Sequence, residues 1–211
     1  MKNQSKNEKD KETTKKRLLK SLENIIIEDG FEKVGVNLIA TRAEVSKVLI
    51  YRYFGSLENM IIEYLSEKDF WINVPTDFPE YENLKEFIKK VFRDQITQLR
   101  NNEVIKKLQR WELTKSNSII DKLRLRQEAK GISLITMVSH LTKHSQEEIA
   151  SIATILSSSI TYLVILSDNC PQYNGIDIQS DKGWEQIAKG VDLLIDIWYE
   201  HTIKRNQKKT C

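Results

Sequence analysis

Glycine and proline are scarce in this chain of 211 residues, numbering seven and three. Sandwiches and barrels spend both at their many turns, and a doubly wound sheet needs glycine in its loops, so all-β and α/β folds are disfavoured. Cysteine is nearly absent. Cys170 and the terminal Cys211 cannot staple a scaffold, which fits a reducing, cytoplasmic setting. No unbroken apolar run of about 18 residues is visible, so no membrane span is expected. The opening MKNQSKNEKDKETTKKR has cations but no apolar segment behind them and does not read as a signal peptide. Catalytic signatures are missing too: there is no G-x-S-x-G, Walker-type loop, G-x-G-x-x-G or H-E-x-x-H, so no enzyme and no cofactor is expected. His140, His144 and His201 do not form a metal set by spacing.

What the sequence does contain is helix. With 40% hydrophobic and 30% charged residues it can build a core without being dominated by it. Leu18, Leu22, Ile25 and Ile26 recur at helical spacing until Asp29-Gly30, where glycine suits a left-handed C-terminal position. Short helices are expected at about Val36–Ala43 and Ser46–Phe54, the second capped by Ser46. Ser56 caps a longer helix reaching about Trp71. Pro75 and Pro79 mark a boundary, giving domains at 12–71 and 72–205. Further helices are expected at about 82–101, 103–113, 118–143, 146–167 and 182–205, with the loop 168–181 read as a connector or a lid. The fold class is all-α.

Net charge is only +3, but residues 1–20 hold eight Lys/Arg against three Asp/Glu, and the tail adds Lys204, Arg205, Lys208 and Lys209. Such ends either meet an anionic polymer or are simply solvated.

Two short helices behind a longer one form the layout of a helix-turn-helix. Ile39, Ala40, Ile50 and Phe54 should face its core, with Val45 beneath the turn. The outer side of the second helix carries Lys47, Val48, Leu49, Tyr51, Arg52 and Tyr53, a set suited to a major groove: cations for phosphates or guanine edges, apolar groups for thymine methyls.

The stretch Ile39-Ala40, Ala43, Val45-Ser46-Lys47, Ile50-Tyr51-Arg52-Tyr53-Phe54 and Ser56 resembles the signature of the tetracycline-repressor (TetR) family around its recognition helix. The likeness spans roughly residues 13–66, an N-terminal three-helix DNA-binding domain; beyond it, only length and helicity agree. It implies groove contact from Asn37, Lys47, Val48, Leu49 and Arg52, and backbone contact from Ser46, Tyr51 and Tyr53, on a double-stranded operator. A core position against the first helix is the other reading of Tyr51. Three residues depart from the family pattern. Gly35 replaces a capping threonine, Glu44 a turn glycine, and Leu57 a lysine that meets phosphate. If position 44 keeps a positive φ, Glu44 costs on the order of 1 kcal/mol.

In the second domain, Ala153, Ser157 and Thr161 are small residues four apart, and Val191, Leu194 and Trp198 share a stripe on the last helix. These either form a homodimer interface, as the resemblance implies, or complete the monomer core. Phe87, Phe92, Trp111 and Tyr162 either line a pocket for a small-molecule effector or are plain core. The functional expectation is a ligand-responsive transcriptional regulator, a repressor binding a palindromic operator as a homodimer. The alternative is a helical small-molecule binder with a weakened DNA-binding head, favoured by Glu44 and Leu57.

Overall fold

The computed structural model describes residues 2–75 and 79–209, with side chains from Asp10 to His201 outside that gap. Cys211, Phe78 and the side chains of the basic tail fall outside the described residues. The helices are α1 (Lys2–Asp29), α2 (Val36–Arg42), α3 (Val48–Phe54), α4 (Leu57–Lys68), α5 (Leu84–Asn101), α6 (Glu103–Thr114), α7 (Ser118–Thr142), α8 (Gln146–Leu166) and α9 (Asp181–Lys209). The all-α class therefore holds. The residues form two compact units, the first from Met1–Asp69 and Glu103–Arg124, the second from Phe70–Asn102 and Leu125–Cys211.

In the first unit, α1 buries Leu18, Leu22, Ile25 and Ile26 completely. It ends where Gly30, at φ 85°, takes a conformation that a Cβ would strain, and the Gly30 N–H bonds the carbonyls of Ile25 and Ile26. The chain then makes a 3-10 turn at Phe31–Lys33 and enters α2 through Gly35 with no side-chain cap. Ser56 caps α4 as expected, its Oγ accepting from the Asn59 N–H at 3.0 Å. α4 ends at Lys68, short of the Trp71 expected, because Asp69 turns extended. α6 also packs here: Val104, Ile105 and Leu108 are buried, and Trp111 stacks on Phe31 with ring centroids 4.5 Å apart and 6° between planes.

In the second unit, α5 lies against α8 and α9. Its basic residues face acids of α9: Lys89 bonds Asp196 at 2.7 Å, Arg93 bonds Asp192 at 2.6 Å, and Arg100 bonds Asp181 at 2.7 Å. The Lys89 ammonium holds the Asp196 carboxyl below its ordinary range. Gln95 is fully buried between α5 and α8, donating to the Ser157 carbonyl and hydroxyl at 3.2 Å. The loop 168–181 contains a small antiparallel hairpin, Gln172–Tyr173 with Ile176–Asp177, turned at Asn174-Gly175. Both turn residues have positive φ, 49° and 80°, the demand of a two-residue hairpin loop. The Trp184 indole pins it by donating to the Ile178 carbonyl at 2.7 Å.

By length and composition alone α8 is apolar enough to cross a membrane. Its interleaved Ser and Thr conceal this from a count of consecutive apolar residues, and the expectation that no such segment exists is corrected for α8. A core helix of a soluble protein meets the same criteria.

Candidate nucleic-acid interface

The helix pair is held from behind. Ile39 and Ala40 of α2 and Ile50 and Phe54 of α3 are buried, and the Val45 N–H bonds the Ala40 carbonyl across the turn at 3.0 Å. Helix α3 begins at Val48 rather than at the residue after Ser46. The Ser46 Oγ reaches the Val48 N–H only at 3.4 Å, while Leu49 and Ile50 bond back to the carbonyls of Ser46 and Lys47. Glu44 has φ 53°, so the turn does place a side chain where glycine is the unstrained choice. Its carboxylate lies 3.4 Å from Arg17, whose guanidinium also donates to the Ala43 carbonyl at 2.6 Å. A cation of α1 therefore both clamps the turn and offsets part of the misplaced charge.

With its inner side spent, α3 shows a definite outer side. Lys47, Val48, Tyr51 and Arg52 are exposed, as are Ser46 before the helix and Asn37 on α2. Val48 is 62% and Tyr51 52% exposed, so the core reading of Tyr51 does not describe its position. Leu49 and Tyr53 are half-buried, and the Lys11 ammonium stands 6.0 Å from the centre of the Tyr53 ring. The other arginines of the region are engaged: Arg42 pairs with Glu28 and with Asp29 at 2.7 Å, and Arg17 is held at the turn. At the start of α4, half-buried Leu57 is followed by Glu58, whose carboxyl is kept below its ordinary range chiefly by a 2.7 Å hydrogen bond from Lys122.

The four aromatics expected at an effector site are divided between the two units. Trp111 is stacked on Phe31 in the first unit. In the second, Phe92 is buried in the core, Phe87 packs on the cluster around Leu84 and Tyr199, and Tyr162 is 55% exposed beside Tyr173. A shallow groove of about 480 Å³ lies elsewhere in the second unit, lined by Pro79, Ser133, Thr136, Met137, His140 and Leu141. No Phe, Trp or Tyr lines it, so reasoning from those aromatics does not find it. His144 is buried, its Nδ1 2.7 Å from the Glu148 carboxylate. No group of three or more His, Cys, Asp or Glu is arranged to hold a metal among the described residues.

The six residues expected at a dimer face are also divided. Val191 is buried within the second unit, Ser157 and Thr161 sit half-buried against Gln95, and Trp198 packs on the core cluster. Ala153 is half-buried. Only Leu194 is exposed, and its apolar neighbours on the surface are Leu193 and Ile197 of α9, with Ile155 and Tyr162 exposed on α8.

Residues 18–64 match the family described as bacterial regulatory proteins, tetR family. No curated protein matches the chain. Among solved structures it is similar to a fatty acid metabolism regulator of Clostridium perfringens, with 20% identity, a TM-score of 0.59 and coverage of 85% of this chain and 96% of that one. It is similar also to the fatty acid degradation regulator FadR of Bacillus halodurans, with 20% identity, a TM-score of 0.57 and coverage of 86% and 94%. A third is a TetR-family transcriptional regulator of Vibrio parahaemolyticus, with 18% identity, a TM-score of 0.55 and coverage of 85% and 96%. At these identities the structures establish the fold alone.

Proposed function

Through residues 18–64 the chain belongs to the bacterial regulatory proteins of the tetR family, and from that premise we propose that it is a ligand-responsive repressor that binds a palindromic operator as a homodimer. A DNA-binding regulator follows from the family. The observation carrying the reading further is the outer side of α3, where Lys47 and Arg52 are exposed and flank Val48 and Tyr51 while Arg17 and Arg42 are bound internally. Exposed cations attract phosphate, and the groups between them meet base edges. Ser46, Leu49 and Tyr53, at the edges of that surface, and Asn37 on α2 complete the proposed DNA contacts.

The homodimer rests on a different surface. Ile155 and Tyr162 on α8 and Leu193, Leu194 and Ile197 on α9 are exposed apolar side chains, and a second copy that covers them would do so in a four-helix contact. Pairing two recognition helices at one DNA turn, about 34–36 Å, is what a palindrome requires. A small-molecule effector would act by favouring one spacing of those helices over another. Acting on the chromosome places the protein in the cytoplasm. A head too weak to bind DNA is the second reading, and the exposed Glu44 carboxylate favours it.

Mobility-shift titration of the promoter beside its gene separates the two. The repressor reading expects saturable binding that Lys47→Ala or Arg52→Ala weakens while the fold is kept. Base-edge contacts would cost about 1–3 kcal/mol and relax specificity, whereas phosphate contacts weaken all sequences alike. Binding equal to the parent in both variants would remove α3 from the interface.

A further inference from the structure

Helix α3 and Lys47 just before it offer four outward side chains, and their chemistry is uneven. Lys47 and Arg52 are cations on flexible stems, whereas Val48 is a short, branched, apolar group on the first turn, 62% exposed. A β-branched side chain on a helix keeps essentially one χ1 rotamer, so the Val48 isopropyl is presented in a fixed direction. Nothing in its own domain covers it. Tyr51, one turn on, adds a second exposed apolar surface on the same side.

A rigid isopropyl pressed against a base edge can neither donate nor accept a hydrogen bond. Against guanine N7 and O6, adenine N6 or cytosine N4 it would strip water from a polar group and offer nothing in return. The major groove presents one apolar group, the C5-methyl of a pyrimidine, which belongs to thymine in ordinary duplex and to 5-methylcytosine where the DNA is modified. Resting on the reading of α3 as the recognition helix, we propose that Val48 reads a pyrimidine C5-methyl, that of thymine, at one fixed position in each operator half-site. It therefore acts as a specificity residue by attraction to the methyl and by rejection of bare polar edges. Lys47 and Arg52, at the margins of the same side, supply affinity around it.

The test begins with selection of a preferred duplex from random sequence by the full-length protein. Each thymine of that duplex is then replaced singly by deoxyuridine, which removes the methyl and leaves every hydrogen-bonding atom in place. Fluorescence anisotropy should show one thymine per half-site whose demethylation weakens binding about three- to tenfold, the size expected for one buried methyl. Cytosine and 5-methylcytosine at that position distinguish the two sources, and the methylated base should regain a similar factor over the unmethylated one. In Val48→Ala, whose change lies on the surface and spares the core, the uracil penalty at that position should vanish while other positions are unaltered. Affinity within twofold for every uracil duplex, or a penalty undiminished in Val48→Ala, overturns the assignment while leaving DNA binding intact. Selection that enriches no sequence overturns both it and the reading it rests on.

Discussion

Glu112 carries a prediction that needs no knowledge of operator or effector. It lies on α6 in the first unit, where its Oε1 is buried without a hydrogen-bond partner. Arg124, the cation acting on it, donates to the Glu112 main-chain carbonyl at 3.0 Å, and Asp69 contributes a second negative charge. Burial is the largest influence, and it pushes the Glu112 carboxyl up to about 7 from 4.5. The fold therefore binds this proton more tightly than the unfolded chain does. Stability must fall as pH rises from about 4.5 to about 7 and level off above that. At ~1.36 kcal/mol per pH unit the full effect is about 3 kcal/mol, and discounting for the partial exposure of the side chain leaves about 2 kcal/mol. Glu112→Gln cannot ionise. At pH 8 it should be more stable than the parent by about 2 kcal/mol in urea titrations, and at pH 5 the two should nearly coincide. Parallel curves for variant and parent from pH 5 to pH 8, or a variant weaker than the parent at pH 8, would refute the reasoning.

Glu44→Gly should change stability by less than about 0.5 kcal/mol, because relief of the left-handed backbone is offset by the freedom glycine gains when unfolded, and Glu44→Gln should raise operator affinity by removing the charge alone. A Cβ on Gly183 would stand 1.8 Å from the Asp177 carbonyl oxygen, so Gly183→Ala should lower stability by roughly 2 kcal/mol or more in thermal melts, at the junction of the hairpin with α9. Leu194→Glu and Ile155→Glu, both on exposed surface, should give helical monomers by light scattering and circular dichroism, whereas Val191→Glu should unfold the second unit because Val191 is already buried.

The first four helices were legible because local chemistry decides them. Gly30 ends α1, Ser56 caps α4, and the positive φ anticipated at position 44 is present. The hairpin was not foreseen, because the loop 168–181 reads as a connector or a lid; Asn174-Gly175 between Tyr173 and Ile176 is a two-residue turn signal, but it sits in a stretch too short to show strand alternation. Two features were not legible for physical reasons. Val104, Ile105 and Leu108 declare that α6 must bury one side, but periodicity does not name the partner, and α6 packs on α1. On α8, isoleucines occur all round the helix, so no stripe distinguishes Ile160, which is buried, from Ile155, which is not. Small side chains at 157 and 161 invited an external partner, yet they make room for the buried amide of Gln95.

The Phe31–Trp111 stack joins residues 80 positions apart within one compact unit. A ribosome adding about 5–20 residues each second needs roughly 4–16 seconds to travel from one ring to the other. During that interval α1 to α4 have been synthesised, but Phe31 still lacks the indole that covers it. The first unit is therefore not finished in the order in which it is translated: its closing piece arrives only after the whole of α5 has emerged, and that helix belongs to the other unit. The nascent chain carries a bare aromatic ring on its DNA-reading end until α6 returns. Chain growth slowed between residues 70 and 102 would lengthen that exposure and raise aggregation without altering a single contact of the finished protein.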